Sequence, residues 1–151
     1  QEDLQLKAAM SAGAILIDGK AKQLVITNKG AACDDLAASI LQAARVKFTK
    51  TEFISCPGCG RTLYNLQGTI AKIKSAITEA SKENPKFKTL KIGIMGCIVN
   101  GPGEMADADY GYVGAGPNKI SLYKKQECME KNIPEDEAVD KLIAFIKNDN
   151  D

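Results

Sequence analysis

Between Glu52 and Val99 the chain reads EFISCPGCGRTLYNLQGTIAKIKSAITEASKENPKFKTLKIGIMGCIV. Glu52-Phe-Ile-Ser55 predicts a short strand, closed by the turn-forming Cys56-Pro-Gly-Cys-Gly60. Leu63, Leu66, Ile70, Ile73 and Ile77 then recur at steps of three and four, with Lys72, Lys74 and Glu79 facing away. That period predicts the strongest amphipathic helix of the chain, and Asn84-Pro85 ends it. Leu90 to Val99 follows as a strand with Leu90, Ile92 and Ile94 on one side, broken at Gly96-Cys97. A strand, a helix and a strand in this order predict a sheet with a helix laid across it.

Outward from this stretch, seven of the thirteen glycines lie between Gly93 and Gly116. Tyr110 to Val113 and Lys119 to Tyr123 predict strands on either side of a Gly-Pro turn. Pro134 fits the first position of a C-terminal helix whose Glu135, Asp136 and Glu137 suit its N-terminal dipole, and Val139, Leu142, Ile143 and Ile146 form its apolar stripe. Residues 51–148 thus read as a small α+β domain, a sheet covered by at least two helices. In the other direction a boundary is expected near Lys47 to Lys50. Before it, Leu4 to Ala12 predicts the end of a short helix. Ala14 to Ile17 predicts a strand stopped by Asp18-Gly19, and Leu24 to Thr27 a second, closed by Asn28-Lys29-Gly30. Asp34 or Asp35 would cap a helix carrying Leu36, Ile40, Leu41 and Ala44 and ending near Arg45. This opening reads as a short α/β segment without obvious chemistry. Because it starts on Gln1 rather than Met, the expectation is a piece of something longer.

The 151 residues are 44% apolar and 26% charged, values of a globular protein rather than of a disordered tail or a collagen-like fibre. No apolar run reaches the ~20 residues that cross a bilayer, and no basic-then-apolar leader opens the chain. The net charge is +1, with four Phe, four Tyr and no Trp, so neither bulk charge nor stacking surface points to nucleic acid or membrane. Histidine is absent, which excludes the imidazole general base, the Ser-His-Asp triad and every zinc site that needs His. The five cysteines, Cys33, Cys56, Cys59, Cys97 and Cys128, are odd in number and unevenly spaced, which argues against a secreted disulfide framework.

Cys56-Pro-Gly-Cys59 sets two thiols in one tight turn at a strand end. A redox pair, a zinc site, an iron–sulfur cluster and two plain structural thiols all remain open. Cys97 opens the run Cys97-Ile-Val-Asn-Gly-Pro-Gly-Glu104 at the end of the second strand and could converge with the first pair if the strands are neighbours. The glycines would let the backbone approach a bulky inorganic group closely. Cys33 and Cys128 lie outside both loops and read as ordinary free thiols, whereas Glu104 lies in the same loop as Cys97. Three thiolates and one more labile carboxylate suit chemistry on a bound molecule better than a closed four-thiolate set.

At these residues the chain resembles the GcpE/IspG family of 4-hydroxy-3-methylbut-2-enyl diphosphate synthases. The resemblance is carried by Ser55-Cys-Pro-Gly-Cys-Gly-Arg61 and Met95-Gly-Cys-Ile-Val-Asn-Gly-Pro-Gly-Glu104 and runs from about Thr51 to Lys147. The continuation Met105-Ala-Asp-Ala-Asp-Tyr-Gly-Tyr-Val-Gly114 is similar to the plant-type, three-domain subgroup: a barrel, an inserted domain, then the cluster domain. The resemblance implies a ferredoxin-like α+β sandwich similar to a sulfite/nitrite reductase haemoprotein half for residues 51–148, and makes residues 1–46 the tail of a preceding barrel or insert domain. It implies a 4Fe-4S cluster held by Cys56, Cys59, Cys97 and Glu104. Glu104 would be the replaceable ligand at the unique iron, Asn100 would hydrogen-bond substrate or cluster, and Arg61 would balance charge or sit in a structural ion pair. The implied reaction is reductive opening of methylerythritol cyclodiphosphate to hydroxy-methylbutenyl diphosphate, with electrons from ferredoxin or flavodoxin. The substrate-binding barrel would come from the same chain or a second subunit, and these residues alone are expected to bind a cluster without turning over. The setting is expected to be cytoplasmic, or plastid-like in a plant-type host. Lys82, Lys86, Lys88 and Lys91 would either receive an acidic ferredoxin or form a solvated face. Competing functions are a zinc-stabilised interaction module and a simple one-cluster electron carrier.

Overall fold

A computed structural model describes residues 2–28 and 30–149. Gln1 and Lys29, used above at the chain start and in the turn after Thr27, lie outside them. The chain divides into two compact units, Gln1–Thr49 and Lys50–Asp151. Among the described residues no helix is long and apolar enough to cross a membrane.

The first unit is helical, which corrects the expected α/β segment. Helix α1, Glu2–Ile17, runs through the stretch predicted as a strand. Ala8, Ala12 and Leu16 recur at helical spacing and pack together, with Leu16 buried. The neighbouring Ile15 and Ile17 stay exposed, so the apolar run has no sheet to enter. Residues 24–27 form no strand either: Val25 is 81% exposed, and a strand without a partner leaves its ladder unpaired. Helix α2, Ala31–Ala43, starts earlier than the expected Asp34 or Asp35 cap, from Gly30, and Asp34 falls in its first turn.

The second unit is an α+β sandwich, as expected. Its strands are β1 (Glu52–Ser55), β2 (Lys91–Met95), β3 (Tyr110–Gly116), β4 (Lys119–Lys124) and β5 (Glu127–Pro134), and they lie side by side in chain order. β1, β2 and β3 are parallel, and β4 and β5 continue the sheet antiparallel. Helix α3, Leu66–Glu83, joins β1 to β2, and its Asn65 cap accepts the Gly68 N–H at 3.0 Å. Leu63, predicted in the helix, precedes it and is exposed. A 3-10 turn, Pro85–Thr89, returns the chain to β2, which stops at Met95 rather than Val99. Helix α4, Gly101–Glu104, is one turn long, and helix α5, Glu135–Asn148, closes the chain with Pro134 as its cap rather than its first residue.

Two faces of the sheet are packed differently. Ile73 and Ile77 of α3 and Leu142 and Ile146 of α5 meet Ile92, Ile94, Tyr112 and Leu122, and these are all essentially buried. On the other face Met95, Met105, Ala108 and Val113 form a smaller cluster. Gly93 and Gly111 pair in register across β2 and β3, and a Cβ on them would come within 2.6 Å and 2.4 Å of Met105. The two glycines therefore make the slot that seats Met105 and holds α4 against the sheet. β5 escapes the sequence reading because it is an edge strand with mostly exposed residues, of which only Ile133 is buried.

Candidate functional site

β1 and β2 are adjacent and parallel, with Ser55 opposite Ile94, so Cys56 and Cys97 emerge from the same end of the sheet. The Gly96 N–H donates to Cys56 Sγ at 3.2 Å, directly tying one cysteine loop to the other. Gly58, at φ +80°, turns the chain so that Cys59 follows in the same loop. Cys59 is steadied by Thr62, whose hydroxyl accepts the Cys59 N–H at 3.2 Å while the Thr62 N–H donates to the Cys59 carbonyl at 2.9 Å.

Cys56, Cys59, Cys97, Asn100, Glu104 and Arg61 line one cavity of about 210 Å3, floored in part by Met95 and Gly101. The structure thus brings together every residue that the two motifs nominate. Cys59, Asn100 and Glu104 are exposed, so the cavity opens to solvent. Asn100 precedes α4 without a side-chain capping bond, which leaves its amide uncommitted to the helix. The Asn100 backbone and the Arg61 guanidinium beside it hold the Cys97 thiol below its usual range, and Cys97 and Cys59 in turn hold Arg61 firmly protonated. Arg61 thus sets its charge on the wall of this cavity, beside Cys97 and Cys59.

Cys33 and Cys128 stay outside this site. Cys33 is buried in α2 of the first unit, and Cys128 lies on β5 with its sulfur near the Glu130 carbonyl. The basic run is also remote: Lys91 begins β2, whereas Cys97 lies beyond its far end. Lys82 pairs with Glu79 at 2.6 Å, and Lys86 binds the Asp149 carbonyl. A larger open cleft of about 860 Å3, between the start of α5 and α3, carries Lys72, Lys119 and Glu135 but no cysteine.

Neither motif nominates Thr62 or Tyr64, whose hydroxyls are bonded to the backbone of Cys59 and of Met95. The Tyr64 hydroxyl donates to the Met95 carbonyl at 2.9 Å, and its ring lies 5.9 Å from that of Tyr112. The nearest signal in the sequence is the position of both residues immediately after the cysteine turn.

Among the described residues no three Cys, Asp or Glu side chains converge tightly enough to hold a single metal ion. A 4Fe-4S cluster asks for something different, one ligand at each of four corners around a cavity. Three thiols and a carboxylate around 210 Å3, one of the sulfurs already accepting a backbone N–H bond, fit that requirement.

Fold and site together define an α+β domain with a cysteine-lined cavity at one end of its sheet. The chain belongs to the GcpE protein C-terminal domain family, whose sequence model matches residues 52–148. It is 60% identical over 99% of its length to a 4-hydroxy-3-methylbut-2-en-1-yl diphosphate synthase (flavodoxin) of Phocaeicola vulgatus, of which it covers 24%. The enzyme of the same name from Porphyromonas gingivalis is 56% identical over 99% of the chain and is covered to 25%. That of Chlorobaculum tepidum is 50% identical over 94% of the chain and is covered to 18%. The chain spans about a quarter of the length of the curated relatives it matches.

Proposed function

We propose that the chain is the cluster-bearing part of a reductive dehydroxylase of isoprenoid biosynthesis, one that opens methylerythritol cyclodiphosphate to hydroxy-methylbutenyl diphosphate. The observation that carries this is the meeting of Cys56, Cys59, Cys97 and Glu104 around one cavity. These four residues would hold a 4Fe-4S cluster. When bound, it supplies single electrons and a Lewis-acidic iron to the reacting diphosphate.

The chain's own residues divide the remaining work. Cys56, Cys59 and Cys97 are fixed at strand ends and by backbone bonds, a rigid three-point seat. Glu104 sits at the exposed end of the one-turn α4 and has the longest side chain of the four donors, so it is the one with most room to turn aside. Asn100 offers an amide to the same space. Arg61 places a fixed positive charge beside Cys97, which offsets the negative charge of thiolates and of an incoming phosphate. Ile98 and Val99, 49% and 65% exposed in the chain between the cavity-lining Cys97 and Asn100, would give this side of the site an apolar rim of the kind that meets another surface. A substrate-binding barrel, of the same chain or a second subunit, would cover that rim. The electron donor would be flavodoxin, named for the relatives, or a ferredoxin. Residues 1–46 would be the tail of the domain preceding this one.

Anaerobic reconstitution of the chain with iron and sulfide tests the reading. Four irons per chain, with visible charge-transfer absorption, are expected, and stoichiometric zinc in their place refutes it. Glu104→Ala is expected to keep the three-thiolate seat and to lose one iron readily. A cluster unchanged in iron content and potential in that variant would favour a simple electron carrier.

A further inference from the structure

One peptide group lies between Tyr64 and a nominated cluster ligand. Its carbonyl, that of Met95, accepts the Tyr64 hydroxyl at 2.9 Å; its N–H, that of Gly96, donates to Cys56 Sγ at 3.2 Å. Hydrogen bonds arranged in a chain polarise one another, and an amide whose oxygen accepts a bond is a better donor through its nitrogen. From this geometry we infer that Tyr64 is a positioning residue that, through the Met95–Gly96 peptide, strengthens and fixes the N–H bond to Cys56 Sγ and so raises the reduction potential of a cluster held there. The inference rests on the cluster reading above.

The surroundings are built for a fixed donor. Tyr64 is half-buried against Tyr112, with their rings tilted at 57°. A Cβ on Gly114 would approach the Tyr64 ring to 2.9 Å and the Gly96 carbonyl oxygen to 2.3 Å, so the ring and the Gly96–Cys97 peptide, the one that follows the relay, are packed against the same glycine. Burial pushes the Tyr64 phenol well above its ordinary value, and the hydroxyl stays a donor at every physiological pH. Reduction adds one electron, and its negative charge is shared with the ligand sulfurs. An N–H aimed at a sulfur therefore favours the reduced state, and weakening it lowers the potential.

The neighbouring Tyr112 supplies the control. Its hydroxyl is buried and has no hydrogen-bond partner among the described residues, yet its ring packs on Tyr64. Tyr64→Phe and Tyr112→Phe each remove one oxygen from the same aromatic pair, and only the first removes a link to Cys56.

The test is an anaerobic redox titration of the reconstituted chain, followed by electron paramagnetic resonance, in wild type and both variants. Tyr64→Phe is expected to hold as much iron as wild type with its midpoint shifted to more negative potential, and Tyr112→Phe to match wild type. In the metal-free chain, hydrogen exchange of the Gly96 amide is expected to be about fivefold faster in Tyr64→Phe, the effect of losing one net hydrogen bond. An unchanged midpoint in Tyr64→Phe, or an equal shift in Tyr112→Phe, overturns the inference. If Tyr64→Phe takes up less iron, Tyr64→3-fluorotyrosine keeps the ring and strengthens the donor, and its midpoint must move the other way. A wild-type chain that binds no cluster refutes the cluster reading itself. Gly96 exchange then still decides the hydrogen-bond relay, which fails if the two rates agree.

Discussion

Gly114→Ala tests how closely the cysteine loops depend on the sheet. β2 and β3 pair as far as Met95 opposite Val113, and Gly114 is the next residue of β3. A Cβ there would lie 2.3 Å from the Gly96 carbonyl oxygen and 3.1 Å from its carbon, where ordinary contact begins at 3.4 Å. The atoms in the way are mostly backbone, so no rotamer change relieves the contact. Relief requires the Gly96–Cys97 segment to move away from β3 by about an ångström. Overpacking of this kind costs about 1–3 kcal/mol, and the rigid partner puts the expected value near ~2 kcal/mol. For a unit of this size 1 kcal/mol moves Tm by about 4–8 °C, so a fall of about 8–16 °C is expected. All four tyrosines, Tyr64, Tyr110, Tyr112 and Tyr123, lie in the second unit and tryptophan is absent, so tyrosine fluorescence follows that unit alone. Gly116→Ala, with nothing within 4 Å of its Cβ, is the matched control and should change stability by less than about 0.5 kcal/mol. If urea titrations place Gly114→Ala within that same margin of wild type, the close approach of β3 to the Cys97 loop is not what holds the loop.

Three further outcomes are expected. Tyr112→Phe removes a buried hydroxyl that has no partner among the described residues, and since such a group costs about 1–3 kcal/mol when left unpaired, the variant should be about 1 kcal/mol more stable in urea; a destabilised variant would mean the hydroxyl is paired in solution. Asp149, bonded to Lys124 at 2.8 Å and Tyr110 at 2.6 Å, has its carboxyl lowered to about 2 from 3.8. Its contribution to stability is full above pH ~4 and is lost as pH falls through 2. Acid titrations should therefore show Asp149→Asn losing less stability than wild type between pH ~4 and ~2. Among the cysteines, Cys56→Ser, Cys59→Ser and Cys97→Ser should each sharply lower iron uptake on reconstitution, and Cys33→Ser and Cys128→Ser should leave it unchanged; iron analysis decides.

The sequence by itself nominated the residues that line the cavity and determined most of the second unit. Two cysteine motifs nominated six residues, and Ile73 and Ile77 at helical spacing with Ile92 and Ile94 at strand spacing made one helix and one strand unambiguous. These patterns are local: periodicity follows from which side of an element faces the core. What is decided by partners was not legible. Ala14 to Ile17 is apolar enough for a strand, but without a sheet in the first unit it continues a helix. Glu127 to Pro134 is polar enough for a loop, but β4 offers it an open edge to pair with. Only the tertiary structure placed Cys56 beside the Gly96 N–H, because that contact needs the parallel register of β1 and β2, set some forty residues apart. The same register put Tyr64 behind the Met95 carbonyl, a contact that neither motif records.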